Sequence, residues 1–176
     1  MITDYDQLLD YLYNLGFGIK PGLERIEEAM RKLGNPQDRI KTVHITGTNG
    51  KGSVCAMLSS ILKAAGYRAG MFTSPHLVDV RERFQINGMK ITEENFVRVA
   101  NKVMETGVSL TFFEFTTAMA FLYFNEQKVD YAIIEVGMGG RYDATNIIKK
   151  PAATAITSLS LDHQDYLGSL EDIALE

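Results

Sequence analysis

The stretch from His44 to Ser53, HITGTNGKGS, constrains the fold of this chain more than any other. Before it, Lys41 to Thr46 reads as a short strand, with apolar Val43 and Ile45 alternating with Thr42, His44 and Thr46. After it, Val54, Met57, Leu58, Ile61, Leu62 and Ala65 recur at helical spacing. Gly66 then stands where a helix C-cap belongs. The glycines Gly47, Gly50 and Gly52 therefore lie on a strand-to-helix turn, where backbone N–H groups and a helix N-terminus converge on an anion. Lys51 supplies a mobile positive charge for outer phosphates, and the Ser53 hydroxyl is a Mg²⁺ donor. The match to the common phosphate-loop pattern G-x-x-x-x-G-K-[ST] is incomplete. Ile45 stands where its first glycine would fall, and Gly52 separates Lys51 from Ser53.

The rest of the chain alternates strands and helices around this turn. Thr3 and Asp6 mark a first helix with a stripe of Leu8, Leu9, Leu12 and Leu15, and Gly16 to Gly22 is a loop. Leu23, Ile26, Met30 and Leu33 form a second amphipathic helix closed by Gly34. This helical preface, residues 1–38, leads into a phosphate-binding portion, residues 39–176. There, Arg68 to Phe72 reads as a strand followed by the loop Thr73 to Leu77, and Asn87-Gly88 is a hairpin turn. Thr92 caps a helix carrying Phe96, Ala100, Val103 and Met104. Thr111 and Glu114 open another that is apolar nearly all round and so buried. Val129 to Val136 reads as a strand covered on both faces, Ala152 to Leu159 as a further strand, and Ser169 with Asp172 as a last helix start. The pattern implies an α/β fold, a parallel sheet flanked by helices. In such sheets ligands sit at the carboxyl ends of the strands. The glycine turn, the Ser74-Pro75-His76 loop, Glu135 and Asp162-His163 each follow a strand.

With 176 residues the chain is long enough for one domain with a real core. Its 45% hydrophobic and 23% charged content is that of a globular protein. A net charge of −4 argues against a general nucleic-acid binder. No apolar run is long enough to cross a bilayer, so no membrane partner is expected. The polar, acidic N-terminus is unlike a signal peptide, and the single cysteine suits a reducing, cytoplasmic setting. Cys55 reads as a small packing residue rather than a nucleophile.

Glu135 ends an apolar strand, where a carboxylate is costly unless paired or metal-bound. It is either a Mg²⁺ ligand facing Ser53 or a strand-end carboxylate that faces water or pairs with Arg141. Imidazole is an unusual Mg²⁺ partner, so His163 by itself reads more readily as structural than as a ligand. His44 reads as structural, and His76, in an exposed loop, could serve either role. Lys20, Arg81, Arg83 and Arg141 are available to an anion, although a solvated face is the default for each.

Taken together, Gly47 to Ser53, Thr73 to Leu77, Phe113 to Thr116, Glu135 to Gly140, Asp143 to Asn146 and Leu161 to His163 resemble the folylpolyglutamate synthase and dihydrofolate synthase family of the Mur ligase superfamily. They occur in that family's order across almost the whole chain. The glycine turn alone fits cell-wall Mur ligases equally well; Ser74 to Leu77 and Asp143 to Asn146 favour the folate branch.

The resemblance implies the incomplete ATP-binding domain of a Mur ligase. Such an enzyme is ATP-dependent and adds L-glutamate to the carboxylate of a folate or of dihydropteroate through an acyl phosphate. Thr48, Asn49, Gly50, Lys51, Gly52 and Ser53 would bind ATP. Ser53, Ser74, Glu135 and His163 would hold Mg²⁺, with Lys51, Glu135 and His163 serving catalysis. Lys20, Pro21, Gly22, Leu23, Phe113, Asp143 and Ala144 would contact the folate or pteroate group. The family continues into a second α/β domain, and a lysine it uses lies past Glu176, so the chain reads as an N-terminal portion and as inactive alone. The alternatives are a phosphate-loop NTPase or kinase of another class, or a nucleotide-binding module without ligase activity. The first would bind ATP but not pteroate and would not need glutamate for turnover; nucleotide affinity with and without Mg²⁺ separates the second.

Overall fold

The computed structural model describes residues 1–16, 18, 22–161 and 169–176. One mixed sheet of six strands has the order β4-β3-β2-β5-β1-β6. The strands are β1 (Lys41–Thr46), β2 (Ala69–Phe72), β3 (Phe84–Ile86), β4 (Met89–Lys90), β5 (Tyr131–Glu135) and β6 (Ala153–Ile156). β2, β5, β1 and β6 run parallel. β3 and β4 add an antiparallel hairpin at one edge, turned through Asn87 and Gly88, both at positive φ. The α-helices are α1 (Tyr5–Asn14), α2 (Glu24–Lys32), α3 (Lys51–Ala64), α4 (Glu93–Met104), α5 (Phe112–Glu126) and α6 (Leu170–Leu175), and short 3-10 helices span Pro36–Arg39, Val80–Arg83 and Ala144–Ile147.

The strands sort their side chains to two faces, because successive residues point opposite ways. On one face Ile45, Ala69, Met71 and Ile133 pack with Cys55 of α3. On the other, Phe72, Ala132 and Ile134 join the larger core built from α1, α2, α4 and α5. α5 is buried from Phe115 through Phe124, as an all-round apolar helix must be. The helical preface thus shares the main core with the sheet: Leu8, Leu12, Ile26 and Met30 are fully buried in it.

Local signals decide the boundaries. α4 starts at Thr92, whose hydroxyl accepts the Asn95 N–H, and α5 starts with a reciprocal Thr111–Glu114 capping box. The first helix is capped by Asp4 rather than Thr3, since the Asp4 carboxylate accepts the Gln7 N–H. The apolar stripe read for α3 is narrower than its spacing implies. Met57 and Ile61 are 59% and 63% exposed, and buried Ser59 shares the sheet-facing side with Cys55.

Cys55 is fully buried, and burial with the nearby Glu135 charge pushes its thiol up to about 12. We expect no reaction with a water-soluble thiol reagent in the native state and full reaction in denaturant. Rapid native labelling would contradict the packing assignment.

Candidate functional site

Three features converge on the carboxyl rim of the parallel strands. β1 delivers the glycine turn, β2 delivers Ser74, and β5 ends at Glu135, whose register partner is Ile45. Glu135 lies on the α3 face because it alternates with Ile133.

The turn is held open by residues far away in sequence. The Thr48 N–H donates to the Ser158 carbonyl (2.8 Å). The Asn49 N–H donates to Ser158 Oγ (3.1 Å), and the Thr157 and Ser158 hydroxyls donate to the Asn49 carbonyl. Thr48 Oγ1 donates to the Ser160 carbonyl and accepts the Ser160 N–H, each at 3.0 Å. Gly47 adopts φ 130° where the two segments touch, and a Cβ there would meet the Ser158 backbone at 2.9 Å. Thr157, Ser158 and Ser160 were not singled out from sequence; their signal is a run of hydroxyls directly after β6.

α3 begins at Lys51 behind Gly50, with no side-chain cap on its first-turn N–H groups. An uncapped helix start of this kind favours an anion. The Lys51 ammonium donates to the Gly47 carbonyl (2.7 Å) and the Thr48 carbonyl (3.2 Å), folded back over the turn. Ser53, on the first turn of α3, is exposed.

Glu135 is only 3% exposed. Its Oε2 accepts the Ser74 N–H (2.9 Å), and Gly52 presents its backbone to the same carboxylate. Burial raises its pKa, opposed by these N–H groups and by Lys51 and Arg83. Arg141 is instead an exposed residue donating to the Leu175 carbonyl, so the strand-end ion pair with Glu135 is not formed. Among the described residues no cluster of three or more His, Cys, Asp or Glu side chains could hold a metal by itself. A buried carboxylate beside Ser74 and an uncapped helix start nevertheless fits Mg²⁺, which takes one or two protein oxygens and otherwise water and phosphate. His163, Lys20 and Pro21 lie outside the described residues.

A cavity of about 400 Å³ opens beside the turn, lined in part by Lys51, Ser74, Arg83, Phe112, Phe113, Asp143 and Ala144. A smaller one of about 80 Å³, bordered by Thr46, Gly47, Thr48 and Met138, shares Lys51 with it. Phe113 is fixed against Gly137, where an added Cβ would meet its ring at 2.5 Å. Gly22 and Leu23, read from sequence as contacts of the same ligand, are not among the residues lining the larger cavity.

Asp143 is 8% exposed and occupied by the loop that carries it. Its Oδ2 accepts the Gly137 and Met138 N–H groups (3.0 Å each), and Oδ1 accepts the Thr145 N–H (2.9 Å) and hydroxyl. Since Thr145 Oγ1 gives its proton to Asp143, it accepts from His44, whose Nε2 lies 2.8 Å away. His44 therefore holds its proton on Nε2 and ties β1 to the loop.

Burial lowers the His44 pKa from 6.5 to about 4. The neutral ring is the folded form, so its stabilising effect is complete above pH 6.5 and is lost as pH falls to about 4. We expect acidification across that window to remove about 3 kcal/mol, and His44→Gln to flatten the dependence. Denaturant melts at several pH values measure this; an unchanged slope in the variant would place the titration elsewhere.

Residues 45–176 match the Mur ligase middle domain, and the chain belongs to that family. Within it, the chain is 42% identical over 187 aligned residues to the dihydrofolate synthase/folylpolyglutamate synthase of Bacillus subtilis, covering all of this chain and 43% of that protein. E. coli FolC, solved with DHPP and ADP, superposes with a TM-score of 0.92 at 39% identity over 97% of this chain and 42% of that one. An FPGS–AMPPCP–folate complex superposes at 0.93 with 35% identity over 98% of this chain and 44% of that one. The chain thus spans less than half the length of these relatives. No helix among the described residues is long and apolar enough to cross a membrane.

Proposed function

We propose that this chain forms the nucleotide- and acceptor-binding part of an ATP-dependent ligase that adds L-glutamate to a folate or to dihydropteroate. The observation that carries this reading is Lys51 on the wall of two adjoining cavities. A phosphate-binding turn and an aromatic-lined chamber thereby meet at one cation. That juxtaposition suits transfer of a phosphoryl group to a carboxylate held in the chamber, giving an acyl phosphate; the glutamate amine then attacks its carbonyl carbon, inorganic phosphate leaves and the amide forms.

In this reading the α3 N–H groups from Gly50 to Ser53, with Lys51, hold the ATP phosphates, and Thr48 and Asn49 shape the turn. Ser53, Ser74 and Glu135 hold Mg²⁺, together with His163. Mg²⁺ would neutralise phosphate charge that builds up during transfer. Phe113, Asp143 and Ala144 border the pteroate group; Lys20, Pro21, Gly22 and Leu23 are assigned to it from the sequence resemblance alone. Support comes from the nucleotide and folate-type ligands in the related structures. The catalytic work assigned to these residues is chiefly positioning and charge stabilisation.

The test is phosphate release by the complete protein in the presence of ATP, with the pteroate acceptor and glutamate each omitted in turn. Release that needs both supports the ligase. Release that ignores both would indicate a nucleoside triphosphatase of another kind.

A further inference from the structure

Arg83 sits in the larger cavity with part of its charge unanswered. It is 6% exposed and ends the short 3-10 helix Val80–Arg83. Its Nε donates to His76 Nδ1 (2.9 Å), and its guanidinium lies over the Phe112 ring, 5.2 Å from the centroid. The salt bridges of the described residues do not include Arg83, although neighbouring Arg81 is paired with Asp79 and Glu93. The two terminal nitrogens of Arg83 find no protein acceptor among the described residues, while the side chain lines the cavity with Lys51 and Ser74. A guanidinium this buried is costly unless an anion meets it. Burial lowers its pKa, offset by Tyr13 and Glu135.

We propose that the Arg83 guanidinium receives the acceptor carboxylate of a pteroate- or folate-type substrate, with His76 fixing the direction of the fork. The inference rests on the pteroate-pocket reading above. Three observations select a planar carboxylate on an aromatic substrate. The fork geometry suits two parallel N–H···O bonds. Phe112 and Phe113 line the same chamber, so the ring system and the carboxylate can be held together. The phosphate turn already has its own cation in Lys51. Placed here, Arg83 offsets the repulsion between an acceptor carboxylate and the triphosphate it must approach, which makes it a specificity-determining residue.

The experiment compares equilibrium binding of pteroic acid and of its carboxamide to the complete protein, both unsubstituted and as Arg83→Gln. The unsubstituted protein should prefer the acid by about 10- to 100-fold. Arg83→Gln should lose that preference while keeping amide affinity within about twofold, which also shows that the pocket is still folded. Arg83→Lys, which keeps the charge without the fork, should fall between the two. His76→Gln, which retains an acceptor for Nε–H, should hold the preference better than His76→Ala. Equal affinity of the unsubstituted protein for acid and amide overturns the Arg83 assignment and leaves the pocket reading standing. So does an acid preference that survives Arg83→Gln. Loss of AMPPCP binding in Arg83→Gln with the acid preference intact would reassign the residue to phosphate and overturn the proposal. Binding of neither acid nor amide by the unsubstituted protein overturns the pocket reading, and the inference falls with it.

Discussion

Glu135→Gln is expected to lower ligation by the complete protein on the order of 10²- to 10³-fold with little loss of stability. The two effects separate because Glu135 is 3% exposed and its charge is disfavoured by burial. Gln keeps the shape and one oxygen to accept the Ser74 N–H, now 2.9 Å from Oε2. It removes the negative charge, so folding loses a desolvation penalty while Mg²⁺ loses its anionic ligand. The melting temperature should hold or rise. Turnover across a Mg²⁺ titration, beside a thermal melt, measures both. Near-normal turnover at ordinary Mg²⁺ would remove Glu135 from the site. A large fall in melting temperature would show that the carboxylate has a structural role instead.

The second large effect is expected at Gly47. Gly47→Ala places a Cβ against the Thr157 hydroxyl and 2.9 Å from the Ser158 backbone, at a φ of 130°. Strain and collision together should cost about 3 kcal/mol and abolish phosphate-dependent nucleotide binding. Gly50 is the internal control. It too has a positive φ, 86°, but an added Cβ there meets open space. Gly50→Ala should cost only about 1 kcal/mol, the conformational part alone. Denaturant titration of both variants gives the stability comparison, and nucleotide affinity is read on Gly47→Ala. Equal costs would mean that contact with the segment after β6 does not hold the turn.

The features legible in the sequence were those written in short-range pattern. The Lys41–Thr46 strand, the α3 start behind Gly50, the Thr111–Glu114 box and the Asn87-Gly88 turn each depend on neighbours within a few residues. The rim was legible too, since a polar residue after each apolar strand marks the carboxyl edge. What escaped were pairings between distant segments. Nothing near Arg83 shows that it closes on His76 and Phe112, so a solvated face was the natural expectation. His76 is half-buried and bonded, not free in a loop. The narrower buried stripe of α3 has a similar cause. Spacing identifies an apolar face but not how much of it the sheet covers, and Met57 and Ile61 fall outside that cover. Asp143 is a further case: nothing in the sequence shows that four donors from its own loop hold the carboxylate.

The hydroxyl run after β6 also sets an order of assembly. The bonds that hold Thr48 and Asn49 reach 108 to 112 residues along the chain. Closing so long a loop costs entropy before any of those bonds can form. During synthesis, a nascent chain that has not yet reached Thr157 already contains Gly47, Gly50 and Lys51 but lacks the segment that shapes them. On the proposed reading, nucleotide affinity is therefore expected to appear only once β6 and the hydroxyl run after it are in place.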